Sequence, residues 1–188
     1  MSEGVEWVLH SCTVLAALPS DQALPAARLA ELHDVAPAYL AKHLQATTAA
    51  GITCSVAGPR GGYRLARPPA EITLLDVVLA VDGEDTAFRC TEIRQQGPVA
   101  GPPSCYRRPC GIARAMWRAE DAWRAELEAT TIADLVDELL ATVAPELLQA
   151  GAEWVQQVEV ARGRRRTVSE PRAPQGATAN PTTRRSQP

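Results

Sequence analysis

The sequence predicts a mainly α-helical fold with a small β-hairpin wing: a winged helix-turn-helix followed by a long dimerisation helix. Three observations predict it. Residues 1–67 read in the order helix, helix, helix, hairpin. The hairpin tip, Ala57-Gly58-Pro59-Arg60-Gly61-Gly62, is rich in residues that tolerate positive φ. Beyond residue 111 the chain carries more apolar helix than a small domain can cover alone, so it calls for pairing with a second subunit. The implied organisation is a DNA-binding domain over 1–83, a loop over 84–111, dimerisation helices over 112–160 and an Arg-rich disordered tail over 161–188.

Each element has its own signal. Val5, Val8, Leu9, Cys12, Leu15 and Ala16 make a helical stripe closed by Pro19. Pro25 suits the opening turn of a short second helix reaching about His33, with Ala27, Leu29, Ala30 and Leu32 as core positions. Pro37 opens a third helix, whose Leu40 and Leu44 recur one turn apart until Gly51 ends it. Residues 52–56 and 63–67 read as the wing strands, and 72–81 as a fourth helix stopped by Asp82-Gly83. After the Pro/Gly-rich stretch 90–111, helical patterns occupy 112–127 and 131–143, and one further helix is expected from Pro145 to about Val160.

Composition limits the function. No segment approaches the roughly 18 apolar residues of a membrane span, and the start lacks a signal peptide's basic region, so a cytoplasmic protein without membrane contact is expected. Net charge is −3 but unevenly placed: from Arg162 onward seven arginines stand against Glu170 alone, leaving the body acidic. Nucleic-acid binding is therefore not advertised by bulk charge and has to come from motif placement. No Cys-x-x-Cys, glycine-rich nucleotide loop or Ser/His/Asp arrangement speaks for an enzyme.

Five cysteines spread over a hundred residues do not form a disulfide framework. Cys12 on the first helical stripe and Cys54 in a wing strand read as small buried hydrophobes. Cys90, Cys105 and Cys110 share a loop with spacings that match no zinc ribbon or thioredoxin motif. By spacing alone they are cluster ligands, reactive thiols or inert loop residues.

Longer stretches carry a family resemblance. Ala38-Tyr39-Leu40-Ala41-Lys42-His43-Leu44, the wing from Gly58 to Pro68, and Glu71-Ile72-Thr73-Leu74 with Ala80-Val81-Asp82-Gly83 resemble the IscR and NsrR group of bacterial winged-helix regulators. Gly4-Val5-Glu6-Trp7, Leu29 to Val35, Phe88 to Gln95 and Ile112 to Met116 look most like the redox-sensing RsrR subtype. The resemblance implies a homodimeric repressor of operator DNA. It also implies a 2Fe-2S cluster at the dimer interface, held by Cys90 and Cys110 of one subunit and by Glu6 and His33 of the other, with Cys105 as a spare thiol. Mixed thiolate, imidazole and carboxylate ligation suits one-electron cycling, because imidazole in place of thiolate raises the reduction potential.

In a winged helix the third helix enters the major groove and the wing reaches the backbone or minor groove. Tyr39, Lys42, His43 and Gln45 are the first-choice readers, with Arg60 on the wing and Arg28 on the preceding helix. Trp7, beside Glu6, reads as packing that is able to transmit a ligand's movement. The competing expectation is a cluster-free winged-helix repressor that senses oxidants or metal through its cysteine thiols.

Overall fold

Helix α1 (Glu3–Ala16) forms where the apolar stripe runs, and it stands at the centre of the molecule, contributing to both halves of the core. The computed structural model describes residues 1–58 and 61–167; Arg60, named as the wing's reader, and the tail beyond Thr167 lie outside them. One core cluster joins Val5, Val8 and Cys12 of α1 to Ile52, Ile72, Val77, Val78 and Ile132. The other joins Leu15 to Leu24, Leu29, Ala30, Leu40 and Leu44.

Helices α2 (Ala26–Leu32) and α3 (Pro37–Ala49) make the helix-turn-helix. The turn after α2 is a Schellman motif: the Val35 N–H donates to Ala30 O at 2.9 Å and the Asp34 N–H to Glu31 O at 3.4 Å, with Asp34 at φ +51°. Asp is one of the few residues that accept this left-handed conformation. Asp34→Gly is therefore expected to be neutral or mildly stabilising. Asp34→Val is expected to lower unfolding free energy by about 2 kcal/mol, read from urea midpoints. Helix α3 ends the same way: Gly51 takes φ +70° and the Ile52 N–H reaches back to Thr47 O at 2.9 Å.

The wing is the antiparallel pair β1 (Thr53–Val56) and β2 (Gly62–Leu65), in register Thr53 to Leu65 and Val56 to Gly62. A two-stranded ribbon is marginal by itself. Here it is moored by a bridge in which the Leu24 N–H donates to Tyr63 O at 2.9 Å and the Tyr63 N–H to Leu24 O at 2.7 Å.

Helix α4 (Leu74–Asp82) opens on a capping box, Thr73 with Asp76, and stops at Gly83, φ +86°. Helix α5 (Gly111–Ala129) is separated from α6 (Ile132–Thr142) by a second box, Thr131 with Asp134. The break is fixed to the domain, because the Ile132 N–H donates to Ile72 O and the Leu74 N–H to Thr130 O, both at 2.9 Å. Helix α7 (Pro145–Thr167) continues past Val160, where the sequence placed the start of the tail, and packs Trp154 and Val155 on the second core cluster. Among the described residues no helix is long and apolar enough to cross a membrane.

Two core expectations need correction. Ala27 is exposed, because α2 turns Leu29 and Ala30 inward and Ala27 points away from them. Cys54 is only half-buried, on a strand that has a neighbour on one side alone; its Sγ lies 3.9 Å from Leu65 O.

Candidate DNA face and thiol loop

Pro37 sets the start of α3, and from there the helix presents Tyr39, Lys42 and Gln45 to solvent along one side while Leu40, Leu44 and Thr47 are buried. His43 sits differently. Its half-buried ring lies against Gly4, where any β-carbon would come within 2.5 Å of the imidazole, and 6.2 Å from the ring of Trp7. His43 is thus a packing residue between α1 and α3 as well as a neighbour of the exposed readers. Arg28 is half-buried and paired with Glu31 one turn on, so α2 presents an ion pair rather than a free cation at that point. Arg64, on the wing's outer side, donates to Ser20 O at 3.3 Å.

Trp7 links α1 to this face. Its ring stands edge-on to Tyr39 at 6.4 Å as well as to His43, and Tyr39 and His43 are 6.3 Å apart. The residue following Glu6 therefore touches two side chains of the third helix.

Glu6 itself is exposed. One helical turn on, at the spacing that puts side chains on the same face, His10 lies 5.4 Å ring-to-ring from His33 at the end of α2. His33 Nε2 is shut from solvent and has no hydrogen-bond partner among the described residues. Burial first, and the neighbouring His10 second, push the His33 pKa below its ordinary value. The neutral imidazole so favoured is the form that ligates a metal.

Cys90 and Cys110 lie at opposite ends of the loop before α5, Cys90 exposed and Cys110 half-buried at the N-cap of α5; both are free thiols. The loop is ordered around Arg94. Its Nε donates to Glu92 Oε1 at 2.6 Å, its guanidinium to Arg108 O at 3.1 Å, and its charge lies 5.3 Å over the Tyr106 ring. The Tyr106 hydroxyl donates to Arg94 O at 2.8 Å and accepts from the Gly101 N–H at 2.7 Å. The hydrogen bond to Glu92 holds the Arg94 pKa above its ordinary value against the opposing effect of desolvation, and attraction to both Cys110 and Cys90 adds to it. Glu92, φ +49°, makes the bend that allows this. Farther back, the loop is tied to α5 by the Ala87 N–H donating to Glu120 and Arg124 donating to Glu84 O, both at 3.4 Å. Cys105 is exposed beside Tyr106. Cys12, by contrast, is buried among apolar side chains, which pushes its thiol up to about 12 and leaves it inert.

Of the four predicted ligands, Glu6 lies on α1, His33 at the end of α2, and Cys90 and Cys110 at the two ends of the loop before α5. Among the described residues, no group of three or more His, Cys, Asp or Glu side chains is placed to hold a metal ion. His10, Arg94 and Tyr106 were not singled out from sequence. His10 had a usable signal, its one-turn spacing from Glu6; the other two had none, because only the folded loop brings Arg94 over Tyr106 and against Glu92 and Arg108.

A three-helix unit with a moored hairpin, an exposed third helix and a long trailing helix defines a winged-helix DNA-binding regulator. A family model described as "Iron-dependent Transcriptional regulator", Rrf2, matches residues 1–138, and the chain belongs to that family. It is similar to protein rrf2 of Nitratidesulfovibrio vulgaris, 29% identical over 118 residues that cover 62% of this chain and 73% of that protein. It is also similar to Rv1287 of Mycobacterium tuberculosis, 30% identical over 136 residues, 72% of this chain and 80% of that one. Among solved structures its fold matches CymR of Bacillus subtilis, described as the global cysteine regulator (TM-score 0.58, 22% identity, 73% of this chain and 96% of that). It likewise matches T. potens IscR (TM-score 0.57, 20% identity, 77% and 91%). The family consists of transcriptional regulators, not enzymes.

Proposed function

We propose that this regulator works as a homodimer on operator DNA, in the cytoplasm and as a repressor, under redox control by a 2Fe-2S cluster bound by Cys90 and Cys110 of one protomer and Glu6 and His33 of the other. The observation that carries the reading is His33 Nε2, a buried imidazole nitrogen with no hydrogen-bond partner among the described residues, next to His10, which stands one helical turn after Glu6 on α1. A buried polar atom without a hydrogen bond costs about 1–3 kcal/mol, so its persistence points to a ligand. The donor set fits: soft thiols, a neutral imidazole and an exposed carboxylate, split so that two chains are needed to complete four. When bound, the cluster supplies a one-electron couple.

The chain's own residues connect that site to DNA by two short routes. His33 caps α2 and immediately precedes the Schellman turn that aims α3. Trp7, next to Glu6, rests on Tyr39 and His43 of α3. A change of hold on His33 or Glu6 thereby moves the third helix relative to α1 and alters contact by Tyr39, Lys42 and Gln45, with Arg60 and Arg28 at the flanks.

Dimerisation is assigned to α5, whose Ile112, Met116, Trp117 and Trp123 stand 68%, 42%, 39% and 39% exposed. Trp123→Glu is expected to convert the dimer to a monomer by size-exclusion chromatography with light scattering. It is also expected to weaken operator binding at least about tenfold, since each protomer then reads one half-site alone.

Thiol sensing without a cluster is the second reading, favoured by the exposure of Cys90 and Cys105 and by the likeness to CymR. Protein purified without oxygen separates the two. Brown material with stoichiometric iron and sulfide, lost in His33→Ala, supports the cluster. Colourless protein free of both elements supports thiol sensing.

A further inference from the structure

We infer that Arg94 is a positioning residue for the thiol pair: it clasps the loop so that Cys90 and Cys110 converge, and it sets a fixed positive charge beside the two sulfurs. The inference rests on the cluster reading above and adds to it a part that neither ligand spacing nor family resemblance names.

The geometry is specific to an arginine. One guanidinium donates to Glu92, two residues after Cys90, and to Arg108 O, two residues before Cys110, and so bridges the neighbourhoods of both thiols. Its planar fork makes these bonds in two directions at once, which a lysine cannot copy. Tyr106 closes the arrangement from beneath, with its ring under the charge and its hydroxyl joining Arg94 O to the Gly101 N–H. The loop's backbone bonds are otherwise local, closing short turns at 92–96, 97–100 and 102–105, and do not join its two ends. Removing the fork breaks the direct tie between positions 92 and 108 and leaves the two neighbourhoods joined through the Tyr106 hydroxyl and Arg94 O. The charge has a separate effect. A cluster held by the two thiolates would become more negative on gaining an electron, and the Arg94 cation would stabilise that reduced state.

The test uses the full-length protein, loaded anaerobically with iron and sulfide, in four forms: wild type, Arg94→Gln, Arg94→Lys and Tyr106→Phe. Dye-mediated redox titration is expected to place Arg94→Gln lower by about 59 mV, a tenfold fall in the reduced-to-oxidised ratio for one electron. Arg94→Lys is expected to hold a potential near wild type yet load poorly, because it keeps the charge and loses the fork. Tyr106→Phe is expected to lower occupancy without moving the potential. Equal occupancy and equal potential in wild type and Arg94→Gln would overturn the inference.

Failure of the cluster reading shows differently, as a wild type that takes up no iron or sulfide. The clasp is then read in metal-free protein carrying Cys105→Ala. Phenylarsine oxide joins two thiols through two As–S bonds and releases its oxygen with both thiol protons as water. Capture of Cys90 and Cys110 is expected to slow about tenfold in Arg94→Gln; an unchanged rate would discard the clasp as well.

Discussion

Cys90→Ala protein, purified without oxygen, is expected to be colourless and to carry iron and sulfide at background level, whereas Cys105→Ala retains the wild-type content of both. Cys90 is exposed and packs against no core cluster, so its removal leaves the fold intact within about 0.5 kcal/mol. The loss is then chemical: one thiolate of a four-ligand site has gone and no neighbouring donor replaces it. Cys105 is exposed beside Tyr106 and is not one of the four side chains proposed as ligands. Cys110→Ala is expected to match Cys90→Ala in metal content. Metal analysis beside circular dichroism in the far ultraviolet separates ligand loss from unfolding.

Gly62→Ala is expected to have the largest effect on stability, lowering unfolding free energy by about 3 kcal/mol and with it the operator affinity of the folded fraction. Gly62 begins β2 at φ +150°, and a β-carbon there would lie 2.3 Å from both C and O of Leu24 and 2.6 Å from Pro25 N. Those atoms are backbone, and no rotamer change relieves the clash. The displaced segment is the one that moors the wing through the Leu24 and Tyr63 bridge, so the hairpin loses its seat. Gly58→Ala gives the contrast: at φ +100° nothing among the described residues lies within 4 Å of the added carbon, and the cost reduces to backbone strain of about 1 kcal/mol. Urea unfolding of both variants distinguishes a clash from strain.

The helices were legible because their ends are written locally. Pro37, Gly51 and Gly83 each impose a backbone requirement that acts within a few residues, and α3 and α4 begin or end where these stand. The hairpin was legible for the same reason. Residues that depend on packing between elements were not. His43 looked like a free reader from its place on the third helix; only the close approach of Gly4 shows that its ring is partly spent on α1. Arg28 read as a candidate DNA contact from its place on the second helix; that Glu31 pairs with it shows only in the folded chain. Ala27 shared the apolar composition of its helix but not its inward face. The pairing of His10 with His33 and the seat of Arg94 over Tyr106 and against Arg108 arise from tertiary folding, for which no spacing in the chain gives a rule.

The measurement that bears most directly on the account is operator affinity as a function of cluster redox state. A duplex selected from a random pool by the oxidised dimer serves as probe, and dithionite delivers one electron per cluster while anisotropy reports binding. The account predicts that Kd rises at least about tenfold, some 1.4 kcal/mol, as the visible spectrum bleaches. Bleaching with Kd unchanged would contradict it.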